Sequence, residues 1–118
     1  MNVKQCYEQI GGNYDDVMSR LRTDDRIKRF LGKVAEDKSY ELLLESLKTQ
    51  NIEEAFRAAH TLKGICLNLS LTRLYGSACA LTEALRGKTE YDAAFEPLVE
   101  KVKEDYAVTV AGILAIDE

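Results

Sequence analysis

Ala58-Ala59-His60-Thr61-Leu62-Lys63-Gly64 is the stretch whose periodicity decides the fold. Projected at about 100° per residue, Ala55, Ala58, Ala59, Leu62, Ile65, Cys66 and Leu69 gather on one side of a helix. His60, the only histidine in the chain, points almost directly away from them. Lys63 and Gly64 follow at i+3 and i+4, where side chains share the surface around His60. An imidazole is thus held out to solvent, with a cation beside it and a missing side chain beneath it.

The same periodicity extends in both directions. Asn51 with Glu54 resembles a capping box at the start of this helix, and Asn68-Leu69-Ser70 reads as a tight break after it. Leu71, Leu74, Ala78, Leu81 and Leu85 stripe the next helix, which ends at Gly87. The last helix carries Phe95, Leu98, Val99, Val102, Tyr106, Val110 and Ile113, with Pro97 in its first turns, because an interior proline costs about 3 kcal/mol. Upstream, Ser39 is the expected cap of a helix whose apolar face is Tyr40, Leu43, Leu44 and Leu47. Earlier still, Gly11-Gly12 breaks a short first helix and Asn13 with Asp16 starts another. Thr23 opens a segment striped by Ile27, Phe30, Leu31 and Val34. No strand alternation appears.

Helices over 39–49, 52–68, 71–86 and 92–115, joined by links of a few residues, predict an all-α fold. Short links favour an up-and-down antiparallel four-helix bundle over 37–118, with short additional helices over 1–36 packed across or beside one end. A chain of 118 residues fits a single domain with one core. Charged residues at 31% and hydrophobic ones at 46% read as soluble and globular rather than disordered. A net charge of −4 gives no case for nucleic acid or an anionic membrane as partner. No apolar run approaches the roughly 20 residues that span a bilayer, and the first residues lack a signal-peptide core. Three cysteines, an odd count, argue for a reducing compartment, so a cytoplasmic location is expected.

His60-Thr61-Leu62-Lys63-Gly64, with Ala58-Ala59 before it and Leu67-Asn68-Leu69-Ser70-Leu71 after it, resembles the histidine-containing phosphotransfer (HPt) domains of bacterial two-component phosphorelays. The likeness is clear from about Glu53 to Arg86, and the helix layout extends it to the C-terminus. The resemblance implies a phosphoryl carrier on His60, accepting from a receiver-domain aspartyl phosphate and passing to another receiver aspartate. It implies response-regulator receiver domains and hybrid histidine kinases as partners. No cofactor is implied on this chain, since Mg²⁺ belongs to the receiver. Related domains often carry a polar amide on the neighbouring helix near the histidine; Thr82 occupies that place here, and Ser70 stands where the family often has glycine.

The residues suit that chemistry. A free imidazole titrates near about pH 6.5, so near neutrality a histidine is largely uncharged and able to attack phosphorus. Lys63 would offset charge on the equatorial phosphoryl oxygens. Gly64 removes a Cβ from the approach path, at a helix-propensity cost of about 1 kcal/mol. Phe56 at i−4 and Leu67 at i+7 place apolar side chains on the outer face, suited to a partner. The rival reading covers them with the N-terminal helices. Arg57 borders the same patch, and Arg73 and Arg86 join it if the following helix packs alongside.

Other readings are weaker. Three cysteines and one histidine formally make a zinc set, but His60 and Cys66 point to opposed sides of one helix and no C-x₂-C pair exists. Cys66 and Cys79 read as small core residues. The resemblance implies a phosphotransfer intermediate rather than an enzyme, with no ATP site, and no P-loop or kinase-type glycine loop is present to contradict it; a monomer is expected. Two rivals stay open: a phosphoacceptor domain served by a histidine kinase in trans, and a helical adaptor that carries no phosphate.

Overall fold

The computed structural model describes residues 1–118. It contains seven helices and no strand: α1 (Val3–Ile10), α2 (Tyr14–Leu21), α3 (Asp24–Glu36), α4 (Ser39–Lys48), α5 (Ile52–Asn68), α6 (Thr72–Leu85) and α7 (Phe95–Leu114). The all-helical expectation holds. None of the helices is long and apolar enough to cross a membrane.

Caps explain most boundaries. The side chains of Asn13 and Thr23 accept the Asp16 and Arg26 N–H groups at the starts of α2 and α3. Asn51 accepts from the Glu54 N–H at 3.2 Å, but only half of the expected capping box forms, because the Glu54 carboxylate turns to Arg57 at 3.1 Å instead. Ser39 is not a cap. It is the first residue of α4, and its N–H donates to Asp37 Oδ1 at 2.7 Å. A complete box occurs where the periodicity gave no cue, between Asn2 and Gln5 at the start of α1. The last helix begins at Phe95 rather than 92, because Asp92 closes a turn by accepting the Ala94 N–H. Pro97 therefore falls in the first turn, where its missing N–H leaves no carbonyl unpaired.

The core joins the apolar faces of all seven helices. α5 packs between α4 and α6, and α6 lies between α5 and α7. α4 and α7 meet through Tyr40 and Tyr106, whose rings stack with centroids 3.7 Å apart. The early part of α6 pairs with the middle of α7 through Arg73 and Asp105. Phe30 departs from its expected stripe: it is 38% exposed, beneath the Lys33 ammonium, while Ile27, Leu31 and Val34 are buried. α1 and α3 rest against α7. At the α1–α7 crossing Gly112 admits Ile10; a Cβ on Gly112 would lie 2.3 Å from Ile10 Cγ2.

The α5–α6 turn positions the site. Ser70 adopts φ +55°, the left-handed region usually left to glycine, so serine keeps the turn a glycine would make. Its hydroxyl donates to Asp16 Oδ2 at 2.6 Å and accepts from Arg20, fixing the strained residue from α2.

Candidate functional site

α5 must place a side chain facing solvent while the rest of the helix stays anchored. Its anchors are Ile52, Ala55, Ala58, Ala59, Leu62 and Cys66, all buried. Three of them are alanines, which lets α5 sit close to its neighbours and leaves the opposite face on the molecular surface. His60 lies on that face and is exposed. Cys66 lies on the buried side, where burial pushes its thiol up to about 12. No group of three or more His, Cys, Asp or Glu side chains converges as a metal site.

Several of the residues marked in the sequence come together around His60. The Phe56 ring lies 6.0 Å from the imidazole, centroid to centroid. Phe56 is half-buried against the core, and the Arg86 guanidinium lies 5.1 Å from its ring centre. Lys63 and Gly64 are half-exposed one turn beyond His60. A Cβ built on Gly64 meets nothing within 4 Å, so no packing contact accounts for the glycine. Leu67 follows, 58% exposed. Arg20 of α2 reaches its carbonyl, and the residue stays largely exposed.

The cations around His60 differ in their commitments. Arg57 is engaged with Glu53 at 3.5 Å and Glu54 at 3.1 Å. Arg86 is engaged with Glu83 through two hydrogen bonds of 2.9 and 3.3 Å. Lys63 makes no ion pair within 4.0 Å. It is the nearby cation left free to meet a new anion.

On α6, Arg73 is not where the sequence suggested, and Thr82 does not supply the hydrogen bond of the amide it replaces. Arg73 is remote from the patch. It donates to Asp105 on α7 at 2.9 Å, and its stem lies against Gly11. Running back along α5, α6 brings its end, not its start, beside Phe56; Arg73 and Arg86 are separated by about 20 Å of helix at 1.5 Å per residue. Thr82 is fully buried, and its hydroxyl donates to the Ala78 carbonyl at 2.6 Å, so it offers no hydrogen bond to the His60 surface. The residue after it, Glu83, is exposed, and periodicity passed over it. Arg86 holds its carboxyl below the usual range, with a smaller contribution from Lys63. The acid–base spacing Glu83-x-x-Arg86 was the available cue.

The match to known families agrees with this geometry. The chain matches the model of the Hpt domain over residues 27–112, most of its length, and it belongs to that family of histidine phosphotransfer domains of phosphorelays. The match takes in α4 to α6 entire and leaves α1 and α2 outside. Searches of the curated proteins and of the solved structures matched nothing.

Proposed function

We propose that this chain is a phosphorelay carrier in which His60 accepts a phosphoryl group from a receiver-domain aspartyl phosphate and passes it to another receiver aspartate. An imidazole nitrogen attacks phosphorus, an N–P bond forms as the acyl–phosphate P–O bond breaks, and the aspartate leaves as carboxylate. The return step reverses these roles. The observation that carries the reading is the exposed His60 with open space above Gly64 and an uncommitted Lys63 one turn away.

Lys63 stabilises the equatorial oxygens as charge gathers there. Phe56 and Leu67 give the receiver apolar contacts on either side of His60, and Arg57 and Arg86 face its acidic rim. Mg²⁺ enters with the receiver, so this chain needs no cofactor of its own and acts as a carrier rather than an enzyme. Response-regulator receivers and hybrid histidine kinases are the partners in this reading, the chain acts as a monomer, and its setting is the cytoplasm. The contacts among α4, α5, α6 and α7 support an up-and-down four-helix bundle as the scaffold.

Incubation with a phosphorylated receiver, and separately with ATP and a histidine kinase, tests the proposal. Label should arrive from the receiver, be acid-labile as a phosphoramidate is, and vanish in His60→Gln while the helical content survives. Label arriving only from the kinase with ATP would make the chain a kinase phosphoacceptor. Receiver binding without any label would make it an adaptor.

A further inference from the structure

We propose that Glu83 is a positioning residue that presets Arg86 over Phe56 and so helps select which receiver can dock beside His60; the inference rests on the carrier reading above. A continuous path of contacts supports it. The Glu83 carboxylate receives Arg86 Nη2–H at 2.9 Å on one oxygen and Arg86 Nε–H at 3.3 Å on the other. Arg86 is the first residue past α6, with φ −58° and ψ 125°, so the chain leaves the helix there. Its guanidinium lies 5.1 Å from the Phe56 ring centre on α5. Phe56 in turn stands 6.0 Å from His60. Glu83, Arg86, Phe56 and His60 thus form one chain of neighbours spanning two helices.

Stability does not account for the arrangement. The Arg86 and Glu83 side chains are 52% and 61% exposed, and exposed pairs of this kind contribute little to folding. What the pair does is restrict a long side chain before any partner arrives. An arginine ordered in advance loses less freedom on binding. Two of the five guanidinium N–H donors are engaged by Glu83, and the rest remain for a carboxylate on the receiver. Arg57, the other rim arginine, is paired within α5 and lies over no aromatic ring. Glu83 also leaves a fixed negative charge next to the cation. A receiver with a carboxylate opposite Arg86 and none opposite Glu83 is accepted; one with acids at both places is repelled.

Positioning and bulk charge make opposite predictions for Glu83→Gln. Removing a negative charge from the rim strengthens attraction to an acidic receiver and lowers KM. Releasing Arg86 raises KM for that receiver, by roughly threefold to tenfold with kcat retained. The test uses the full chain and a receiver that exchanges phosphate with the parental protein. It is joined to NMR of the Arg86 side-chain resonances, which the Phe56 ring current shifts. We expect Glu83→Gln to raise KM and to lose the ring-current shift. The charge swap Glu83→Arg with Arg86→Glu should leave the melting temperature near the parental value yet not recover KM, because the cation no longer lies over Phe56. An unchanged or lowered KM, or a ring-current shift that persists in Glu83→Gln, overturns the inference alone. A parental chain that takes no label on His60 removes the carrier reading, and the selective role with it.

Discussion

Gly64→Ala should make the protein more stable and a worse phosphocarrier. A Cβ at this position meets nothing within 4 Å, so alanine enters without a clash. Position 64 lies well inside α5, which runs from Ile52 to Asn68, so the full propensity difference applies. That difference is about 0.5–1 kcal/mol in favour of alanine, and for a domain of this size it raises the melting temperature by about 2–5 °C. The same methyl group stands beside His60 at i+4, where a phosphoryl group and the approaching receiver need room. Gly64→Gln keeps the helix and adds bulk. If it displaces the phosphorus from in-line geometry by about 1 Å, transfer falls on the order of 10²-fold. Lys63→Ala should also slow transfer, by removing charge rather than space. Gly32 on α3 supplies the control, since a Cβ there likewise meets nothing within 4 Å. Gly32→Ala should bring a similar gain in melting temperature with no change in transfer. Thermal unfolding by circular dichroism and phosphotransfer from a labelled receiver read the two effects separately. Transfer at the parental rate in Gly64→Gln would refute the reasoning.

Leu62→Ala should cost about 2–5 kcal/mol, whereas Leu67→Ala should stay within about 0.5 kcal/mol yet weaken receiver binding; denaturant melts and a binding titration distinguish them, and equal losses of stability would place Leu67 in the core. Gly112→Ala should destabilise by about 1–3 kcal/mol, since its new methyl would strike the buried Ile10 at the α1–α7 crossing. It is the opposite of Gly64→Ala, and a rise in melting temperature would show that the crossing relaxes freely. Hydrogen bonds from Ser70 and Arg20 hold the Asp16 carboxyl below its ordinary range. The folded state therefore prefers the ionised form, and the stability gained is present above the ordinary aspartate range near about pH 4 and fades as pH falls through the lower folded value. Asp16→Asn should flatten that part of the acid-unfolding profile, and an unaltered profile would count against the contact.

The sequence revealed what one side chain or one helix face decides. The alanine and leucine stripe of α5 set the direction of His60, and the isolated caps Asn13, Thr23 and Asn51 marked helix starts because each acts within its own turn. Features that depend on two elements were not legible. Arg73 belongs to Asp105 because α6 pairs with α7 at that level, which no α6 projection contains. Thr82 is fully buried because α6 packs against both α5 and α7, and its hydroxyl turns to the Ala78 carbonyl within α6. Glu83 matters only once Arg86 is seen to fold across onto Phe56. Asp105 shows the same limit: it reads as a surface acid by type, yet it is buried between Arg73 and Lys101.

The division of labour along α5 explains why the His60 face stands open. At the start of the helix Asn51 takes the Glu54 N–H, and Glu53 and Glu54 complement the positive end of the dipole. At its end, carbonyls that α5 cannot satisfy are met from the N-terminal helices. Arg20 donates to Leu67 and Asn68 at 3.3 and 2.9 Å, and the Tyr7 hydroxyl donates to Leu69 at 2.7 Å. Just beyond, the Asn13 N–H reaches the Ser70 carbonyl at 2.9 Å. A cation at that terminus also suits the negative end of the dipole. No buried side-chain nitrogen or oxygen anywhere in the chain lacks a partner. The demands of folding on α5 are therefore met at its two ends and along its buried face. The side chains of His60, Lys63 and Leu67, and the missing side chain of Gly64, take part in none of this. A free lysine, an unexplained glycine and an exposed leucine arranged around one histidine have no role in holding the helix in place. The proposed role, receiving a phosphoryl group and the protein that brings it, would account for all of them at once.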